Sequence, residues 1–207
     1  MTSKPSTANP PQGPRGPYAK TAERRRHILD AAHEVFAARG YHASSLREVS
    51  TVAEMSLSNL MHHFPTKESL LLALLEQRDA DGVGLGSSDS GGGRDEFLGH
   101  VVAQARANEN IPGLIALYSV LSAESTTTGH PGRDYFVDRF SMLRDEYTGE
   151  FERLRDAGRL REGVDPRLAA GTLVALWDGI QLQWLLQPDE VNVAEHLRAF
   201  LDLVVVP

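Results

Sequence analysis

The residues best suited to chemistry stand in one short stretch, SLSNLMHHFPTKESLL, at residues 56–71. It sets an asparagine, two adjacent histidines and a lysine around a Phe-Pro break, a combination that suits either a metal site or a surface that contacts nucleic acid. Neighbouring residues of a helix point about 100° apart, so His62 and His63 cannot chelate one ion. The nearest carboxylate, Glu68, lies beyond the proline, and the chain has no cysteine. We therefore predict no metal site.

The outward side chains of residues 57–63 suit the major groove of DNA. The amide of Asn59 donates and accepts together, which matches the N6 and N7 edge of adenine. The apolar side chains can contact thymine methyl groups, and the polar ones can serve bases or phosphates. His63 and Lys67 place two donors where the wall of the groove is expected. The predicted base-reading residues are Leu57, Ser58, Asn59, Met61 and His62.

Four helices are predicted to position these side chains. Apolar residues recur at helical steps from Ile28 to Phe36, and Gly40 follows as a stop. Pro65 ends the third helix at Phe64, because the residue before a proline is pushed out of the helical region. The predicted helices cover residues 21–39, a segment from a Ser44 or Ser45 cap to about residue 54, residues 57–63 behind a Ser56 cap, and residues 67–79 behind a Thr66 cap. This is the plan of a helix-turn-helix.

The remainder of the chain is predicted to be helical as well. Residues 1–17 hold five prolines and almost nothing apolar, which predicts a disordered arm. The glycine-rich residues 81–95 predict a flexible connection. The other predicted helices cover residues 95–109, 112–125, 132–157, 166–187 and 190–205. The fold class is therefore all-α with about nine helices, in which residues 18–67 form a DNA-binding domain and residues 68–207 a regulatory and dimerisation domain.

Charge is distributed unevenly between these parts. The chain carries a net charge of -7, yet residues 1–67 hold nine Lys or Arg against five Asp or Glu, a net of +4. The other residues hold twelve Lys or Arg against twenty-three Asp or Glu, a net of -11. This asymmetry favours contact between phosphate and the basic segment. The lack of cysteine, of a signal peptide and of an apolar run near 18 residues predicts a cytoplasmic protein without membrane contact.

Residues 20–75 resemble the TetR/AcrR family of bacterial transcription regulators. The resemblance rests on RRRHILDAAHEVFAARGYHASSLREVSTVAEMSLSNLMHHFPTKESLLLALL, in which spacing, helix stops and a terminal His-Phe-x-x-Lys-Glu pattern occur together. The family implies a three-helix DNA-binding head, a mostly helical ligand-binding body and a two-fold dimer formed by the last two helices.

Matched position by position, the resemblance implies contacts to the DNA backbone. Ser45 stands where the family has a phosphate-contacting Thr or Ser, and His63 and Lys67 match its His and its Lys at the start of helix four. Met61 stands where Tyr is common. Glu54 stands where Gly is usual, so either a strained residue or a differently closed turn is expected there. The predicted phosphate contacts are Lys20, Arg24, Ser45, His63 and Lys67.

One stripe of the eighth predicted helix suggests a dimer. It is rich in small residues, which let another helix approach closely, and with the ninth helix it can form a four-helix bundle between two chains. Burial within one chain is the alternative. A two-fold dimer would set its reading helices roughly 34 to 36 Å apart on a palindromic DNA site. The predicted dimer interface comprises Gly171, Ala175, Gly179, Leu182, Leu186, Leu197 and Leu201.

A second, aromatic stripe of the same helix is wide enough to line a cavity. Apolar pockets with a few polar groups are how small-molecule sites are usually built. The alternative is that each of these side chains belongs to the core, and for each one we favour the core. The predicted effector pocket comprises Phe97, Tyr118, Trp177, Gln181 and Trp184. Arg106, Glu124 and His130 are further candidates to orient a polar ligand.

These features predict a homodimeric repressor that binds a palindromic operator in double-stranded DNA and is released by a small molecule of unknown identity. The sequence shows no nucleophile elbow, phosphate loop, HExxH or paired-carboxylate motif, so we expect no enzyme and no cofactor. The alternative is a helical adaptor that binds protein through the same head and leaves DNA untouched. Binding that weakens steeply with salt would favour DNA over this adaptor.

Overall fold

The computed structural model describes residues 17–79, 93–130 and 132–206. This part of the chain forms nine helices: α1 (Pro17–Arg39), α2 (Leu46–Val52), α3 (Leu57–His63), α4 (Lys67–Arg78), α5 (Arg94–Glu109), α6 (Pro112–Glu124), α7 (Arg133–Asp156), α8 (Pro166–Leu186) and α9 (Val193–Val204). Within it, β pairing is limited to an isolated antiparallel bridge between Leu160 and Val205. The all-α prediction is therefore confirmed.

Side-chain caps explain where two of the helices begin. Ser45 caps α2 by accepting the N–H of Glu48, whose carboxylate accepts the N–H of Ser45 in return. Asn192 caps α9 by accepting the N–H of Glu195, so this helix begins three residues later than predicted. A capped start is favoured because it satisfies N–H groups that have no partner inside the helix.

Other boundaries differ from the prediction at the edges of the described ranges. α1 begins at Pro17, four residues earlier than predicted, and proline suits the first helical position because that N–H has no helical partner. Residues 94 and 95, predicted to belong to the glycine-rich connection, form the first turn of α5. The predicted arm at residues 1–16 and the predicted connection at residues 81–92 lie outside the described residues.

The turn between α2 and α3 has a left-handed residue at its centre. Glu54 has φ of +49°, and its N–H donates to the carbonyl of Thr51 while the N–H of Met55 donates to the carbonyl of Ser50. This is a Schellman closure, in which glycine is the usual left-handed residue. Of the two expectations for Glu54, the structure therefore shows the strained residue.

The first apolar core joins the head to the body. It runs through α1 to α4 and continues without a break into α6 and the start of α7, where Leu114, Leu117 and Phe136 belong to the same cluster as Ile28. The second core lies between α5, the later part of α7, α8 and α9. Helices α6 and α7 therefore pack against the same core as the four N-terminal helices.

Two further contacts tie α1 to α6. A Cβ placed on Gly113 would lie 2.9 Å from Cα and 3.0 Å from the carbonyl oxygen of Ala37, so only glycine permits this approach. In the turn after α1, His42 Nε2 lies 2.7 Å from Oε1 of Glu124 at the end of α6.

Among the described residues, no helix is long and apolar enough to cross a membrane.

Candidate DNA interface and effector site

The short helix α3 is anchored to the core by one side chain. Leu60 is fully buried, while Met61 is 44% exposed. The other outward side chains are either exposed or half-buried. The accessible side of α3 thus carries all five predicted base-reading residues, Leu57, Ser58, Asn59, Met61 and His62.

Arg25 of α1 holds the end of α3 in place. Its guanidinium carbon lies 4.3 Å from the centre of the Phe64 ring, and Nη1 donates to the carbonyl of His63 at 3.2 Å. A cation suits this position because the last carbonyls of a helix carry partial negative charge. Two residues later in α1, His27 Nε2 lies 3.2 Å from the carbonyl oxygen of Ala53, which follows α2.

The Lys67 ammonium forms hydrogen bonds within the protein. It donates to the carbonyls of Tyr41 and Ser44 at 2.9 and 3.0 Å, and it lies 4.3 Å from the centre of the Tyr41 ring. An ammonium has three N–H donors, so one is left for a phosphate. Lys67 therefore fixes the turn between α1 and α2, a role that the sequence analysis did not predict.

The predicted cations of α1 lie beside the predicted base reader. Lys20, Arg24 and Asn59 line one groove of about 610 Å³ between the start of α1 and the turn before α3. Glu54 also lines this groove, so the arrangement is not purely basic. The groove nevertheless brings two long cationic side chains beside Asn59.

Ser45 and His63, the remaining predicted phosphate contacts, differ in their surroundings. Ser45 is exposed at the start of α2, where its hydroxyl also donates to the Glu48 carboxylate at 2.9 Å. Hydrogen bonds from Ser45 and the nearby Arg39 hold the pKa of Glu48 below its usual value. Partial burial and the neighbouring His62 lower the pKa of His63, which favours the neutral ring as a hydrogen-bonding group.

In the body, the end of α4 is joined to α7 by a buried polar cluster. The Asp79 carboxylate accepts a hydrogen bond from the Tyr135 hydroxyl at 2.9 Å, and its Oδ2 lies 3.0 Å from Nη1 of Arg139. Arg139 is 9% exposed. Burial, with Asp79 nearby, raises the pKa of Tyr135. The cluster ties the end of α4 to the first turns of α7.

The same Arg139 faces Asp178 of α8. Burial raises the pKa of Asp178 to about 6, although the Arg139 cation opposes this rise. Burial also raises the pKa of Tyr118 to about 12 and raises that of Tyr147, and Asp178 adds to both shifts. These dependences place Asp178 within electrostatic range of side chains on α6 and α7.

Most of the predicted pocket residues are buried in the protein. Phe97 packs edge-on against Phe151 with ring centres 5.5 Å apart, and Tyr118 packs against Phe136 at 5.2 Å. Gln181 is 4% exposed, and its Nε2 has no hydrogen-bond partner among the described residues. Phe97, Trp177 and Trp184 belong to the second core or pack against it, whereas Tyr118 belongs to the first.

The three additional ligand candidates lie elsewhere. Arg106 is exposed on α5, and Glu124 is paired with His42. His130 accepts the N–H of Gly132 at its Nδ1, which also lies within hydrogen-bonding distance of the Ser125 hydroxyl. None of these contacts places them with the Asp178 cluster.

The predicted dimer residues divide into two groups. Leu197 and Leu201 are fully buried in the second core of the same chain, so their assignment to an interface is wrong. The apolar side of α9 is already covered by α5 and α8. The α8 stripe is accessible instead: Leu182 is 52% and Leu186 75% exposed, and Gly171, Ala175 and Gly179 are partly or fully exposed.

Sequence reasoning missed the polar cluster around Arg139. A signal was present, because Asp178 is the only charged residue between Arg167 and Asp189 in an otherwise apolar and amide-bearing helix. A lone charge in such a segment is either exposed or functionally placed. Its partners could not be identified, since Asp79 and Arg139 are distant in the chain.

Comparison with known proteins agrees with this architecture. Residues 28–74 match the family model of bacterial regulatory proteins of the tetR family, and residues 132–205 match that of the C-terminal part of BetI-type transcriptional repressors. Together the two matches cover more than half of the chain.

Individual relatives extend the match along the chain. The A-factor receptor protein of Streptomyces griseus is 27% identical over 79% of this chain, which spans 56% of that receptor. The transcriptional repressor AcnR of Corynebacterium diphtheriae is 23% identical over 87% of this chain and 89% of its own length. A putative regulator from Saccharomonospora viridis, solved in complex with choline, has a TM-score of 0.71 at 24% identity and covers 90% of this chain and all of its own. The chain belongs to the TetR family of bacterial transcriptional regulators.

Proposed function

We propose that the chain is a homodimeric repressor that binds a palindromic operator through α3 and leaves it when a small molecule binds in the body. Its family consists of DNA-binding transcription factors and not of enzymes. The observation that carries the proposal is the structure of α3, which buries only Leu60 and whose Asn59 lines the same groove as Lys20 and Arg24. An operator-binding regulator acts where the DNA is, so we propose a cytoplasmic location.

The two classes of DNA contact make different predictions. Asn59→Ala should lose about 1 to 3 kcal/mol of operator-binding free energy and relax specificity at one base position, because the amide would contact the edge of one base. Arg24→Ala should weaken binding to all DNA sequences alike. It should also reduce the slope of log affinity against log salt concentration by about one, the equivalent of one released counter-ion. Arg106→Ala, which removes an exposed cation on α5, is the matched control and should change neither quantity.

The test is selection of bound DNA from a random pool, followed by titration of the selected site at two salt concentrations. A palindromic site with a steep salt dependence supports the proposal. Absence of any selected sequence, or an Asn59→Ala variant that loses affinity equally on every DNA, would count against α3 as the base reader. Binding that ignores salt would favour the adaptor alternative.

A dimer is proposed from the apolar surface of α8 and α9. Leu168, Leu182, Leu186 and Leu203 are between 52% and 75% exposed in the single chain, and the small residues of α8 lie on the same helix. Leu182→Glu should produce a monomer in sedimentation experiments, because a charge would be buried against the second chain. Val137→Glu on α7, where the valine is 53% exposed, is the matched control and should remain a dimer.

The effector response is proposed to pass through Arg139. This side chain contacts Asp79 at the end of α4 and faces Asp178 on α8, so a ligand that draws Arg139 towards α8 would release the end of α4. A ligand shifts the operator-binding state only as far as its affinity differs between the two arrangements. Arg139→Lys keeps the charge but not the planar geometry, and we expect it to bind operator with a weakened response to ligand.

A further inference from the structure

Helix α3 is too short to hold its own direction. It has seven residues, and an isolated helix of fewer than about 12 residues is marginal in water. Leu60 is the one buried side chain among residues 57–63, and a single buried contact leaves a helix able to swing about that point. At the start of α3 the Ser56 hydroxyl accepts the N–H of Asn59. The direction of α3 therefore depends on what holds its last turn.

Arg25 supplies the contact at this last turn. Its Nη1 donates to the His63 carbonyl at 3.2 Å, and its guanidinium carbon lies 4.3 Å from the centre of the Phe64 ring. The last carbonyls of a helix have no partner inside the helix, and they carry partial negative charge. A planar guanidinium can donate a hydrogen bond and stack on a ring at the same time, whereas a lysine ammonium cannot stack. Two contacts in different directions fix both the position and the tilt of this end of α3.

The same helix α1 also contacts the end of α2. His27 Nε2 lies 3.2 Å from the carbonyl oxygen of Ala53, the residue that caps the end of α2. A carbonyl oxygen only accepts hydrogen bonds, so this ring nitrogen carries the proton. The next residue, Ile28, is fully buried in the first core, which makes α1 a firm support for both contacts. Helix α1 thus donates to the C-terminal ends of both helices of the helix-turn-helix pair.

Arg24 has different surroundings from its neighbour Arg25. Adjacent side chains of a helix point about 100° apart. Arg24 lines the groove that also contains Asn59, whereas the Arg25 guanidinium lies against the end of α3. One of these adjacent cations therefore lies beside the predicted base reader, and the other contacts a carbonyl of the protein itself.

We propose that Arg25 and His27 are positioning residues for base recognition: they fix the angle of α3 against α2 and maintain sequence specificity without contacting DNA. The inference rests on the proposed reading of DNA by α3. A shift in the last turn of α3 would misalign hydrogen bonds to base edges, which weaken steeply away from their preferred geometry. Attraction to phosphate changes little over the same shift, because it falls off slowly with distance. Loss of either contact should therefore lower specificity more than overall affinity for DNA.

The test compares Arg25→Met with Arg24→Met in the full chain. Each protein is titrated with the DNA site selected by the wild type and with unrelated DNA of equal length, at two salt concentrations. Arg25→Met should lower the ratio of the two affinities about tenfold. It should leave the slope of log affinity against log salt concentration unchanged. Arg24→Met should keep the ratio and reduce this slope by about one.

Two further variants separate the individual contacts. His27→Ala should lower the affinity ratio about threefold, because a neutral hydrogen bond contributes less than a charge-assisted one. Arg25→Lys keeps the charge and a donor for the His63 carbonyl but loses the stacking on Phe64, so it should recover part of the ratio. Arg106→Met, which removes an exposed cation from α5, is the matched control and should change neither the ratio nor the slope.

Hydrogen exchange of the backbone amides tests the positioning role without DNA. The N–H of Phe64 donates to the carbonyl of Leu60 at 2.9 Å and closes the last turn of α3. In Arg25→Met this amide should exchange about tenfold faster than in the wild type, while amides in the middle of α1 keep their rates. Arg24→Met should leave all these rates unchanged.

Three results would overturn the inference: an unchanged affinity ratio in Arg25→Met, an unchanged exchange rate at Phe64, or a salt slope reduced by about one, which would make Arg25 a phosphate contact. Should Arg25→Met fail to fold, Arg25→Lys takes its place, with an expected loss of about threefold in the ratio. Relaxed specificity in Asn59→Ala but not in Arg25→Met would contradict this inference alone. A wild type that prefers no DNA sequence would contradict the proposed function as well.

Discussion

A methyl group added at Gly113 tests how closely α6 is held against α1. The new Cβ would lie 2.9 Å from Cα, 3.0 Å from the carbonyl oxygen and 3.2 Å from Cβ of Ala37, so backbone must move by several tenths of an ångström. Overpacking of this kind costs about 1 to 3 kcal/mol. The better helix propensity of alanine returns up to about 1 kcal/mol. Gly113→Ala should therefore lower the free energy of unfolding by about 0 to 3 kcal/mol.

Gly99→Ala supplies the matched control, since a Cβ at Gly99 in α5 meets nothing within 4 Å. It should raise the free energy of unfolding by up to about 1 kcal/mol, and the two variants should differ by about 1 to 3 kcal/mol. Urea denaturation followed by far-ultraviolet circular dichroism measures this difference. Operator affinity should change only in Gly113→Ala, because α1 belongs to the DNA-binding head. Equal free energies of unfolding for the two variants would refute the reasoning.

Three other changes address strain, buried charge and an internal cation. The free energy of unfolding of Glu54→Gly should exceed that of Glu54→Ala by about 0.5 to 1 kcal/mol. Glycine avoids the cost of the left-handed backbone, about 1 to 2 kcal/mol. It also has more conformational freedom in the unfolded chain, which offsets about 0.4 to 1 kcal/mol of this gain. The Asp178 carboxyl has a pKa of about 6 when folded, so its contribution to stability is complete below about pH 4 and lost as pH rises through 6. The free energy of unfolding of Asp178→Asn should therefore exceed that of the wild type by on the order of 1 to 3 kcal/mol at about pH 8 and equal it near pH 4. Urea denaturation midpoints measured across this pH range test the difference. Lys67→Ala should lower the free energy of unfolding by about 1 to 3 kcal/mol, because the carbonyls of Tyr41 and Ser44 lose their donor, and the same urea series measures this.

Each of these predictions has a result that contradicts it. Equal stability of the glycine and alanine variants at position 54 would mean that the left-handed backbone carries no cost. A pH profile of Asp178→Asn parallel to that of the wild type would show that this carboxyl is not the group that titrates. If Lys67→Ala lost operator affinity at unchanged stability, Lys67 would be mainly a phosphate contact. Arg24→Ala, by comparison, is expected to lose operator affinity without loss of stability.

The helix that carries the predicted base-reading residues could be predicted because its signals are local. Caps, a proline break and helical spacing predicted a helix over residues 57–63, and α3 has these bounds. The side chains that hold α3 and its neighbouring turn were not predictable. Arg25 and Lys67 both carry charge near the expected groove, and charge alone does not distinguish a phosphate contact from a contact with the protein's own carbonyls.

The body shows the same division between local and distant interactions. The apolar spacing of α9 indicated a buried face, yet whether Leu197 packs inside one chain or between two depended on the position of α5 and α8. Arg139 contacts Asp79 and influences the pKa of Asp178 only because α4, α7 and α8 come together. The sequence by itself determined the helices and the accessible side of α3, since caps and periodicity act within a few residues. Only the tertiary structure decided which charges are paired, because pairing requires groups far apart in the chain to be desolvated together.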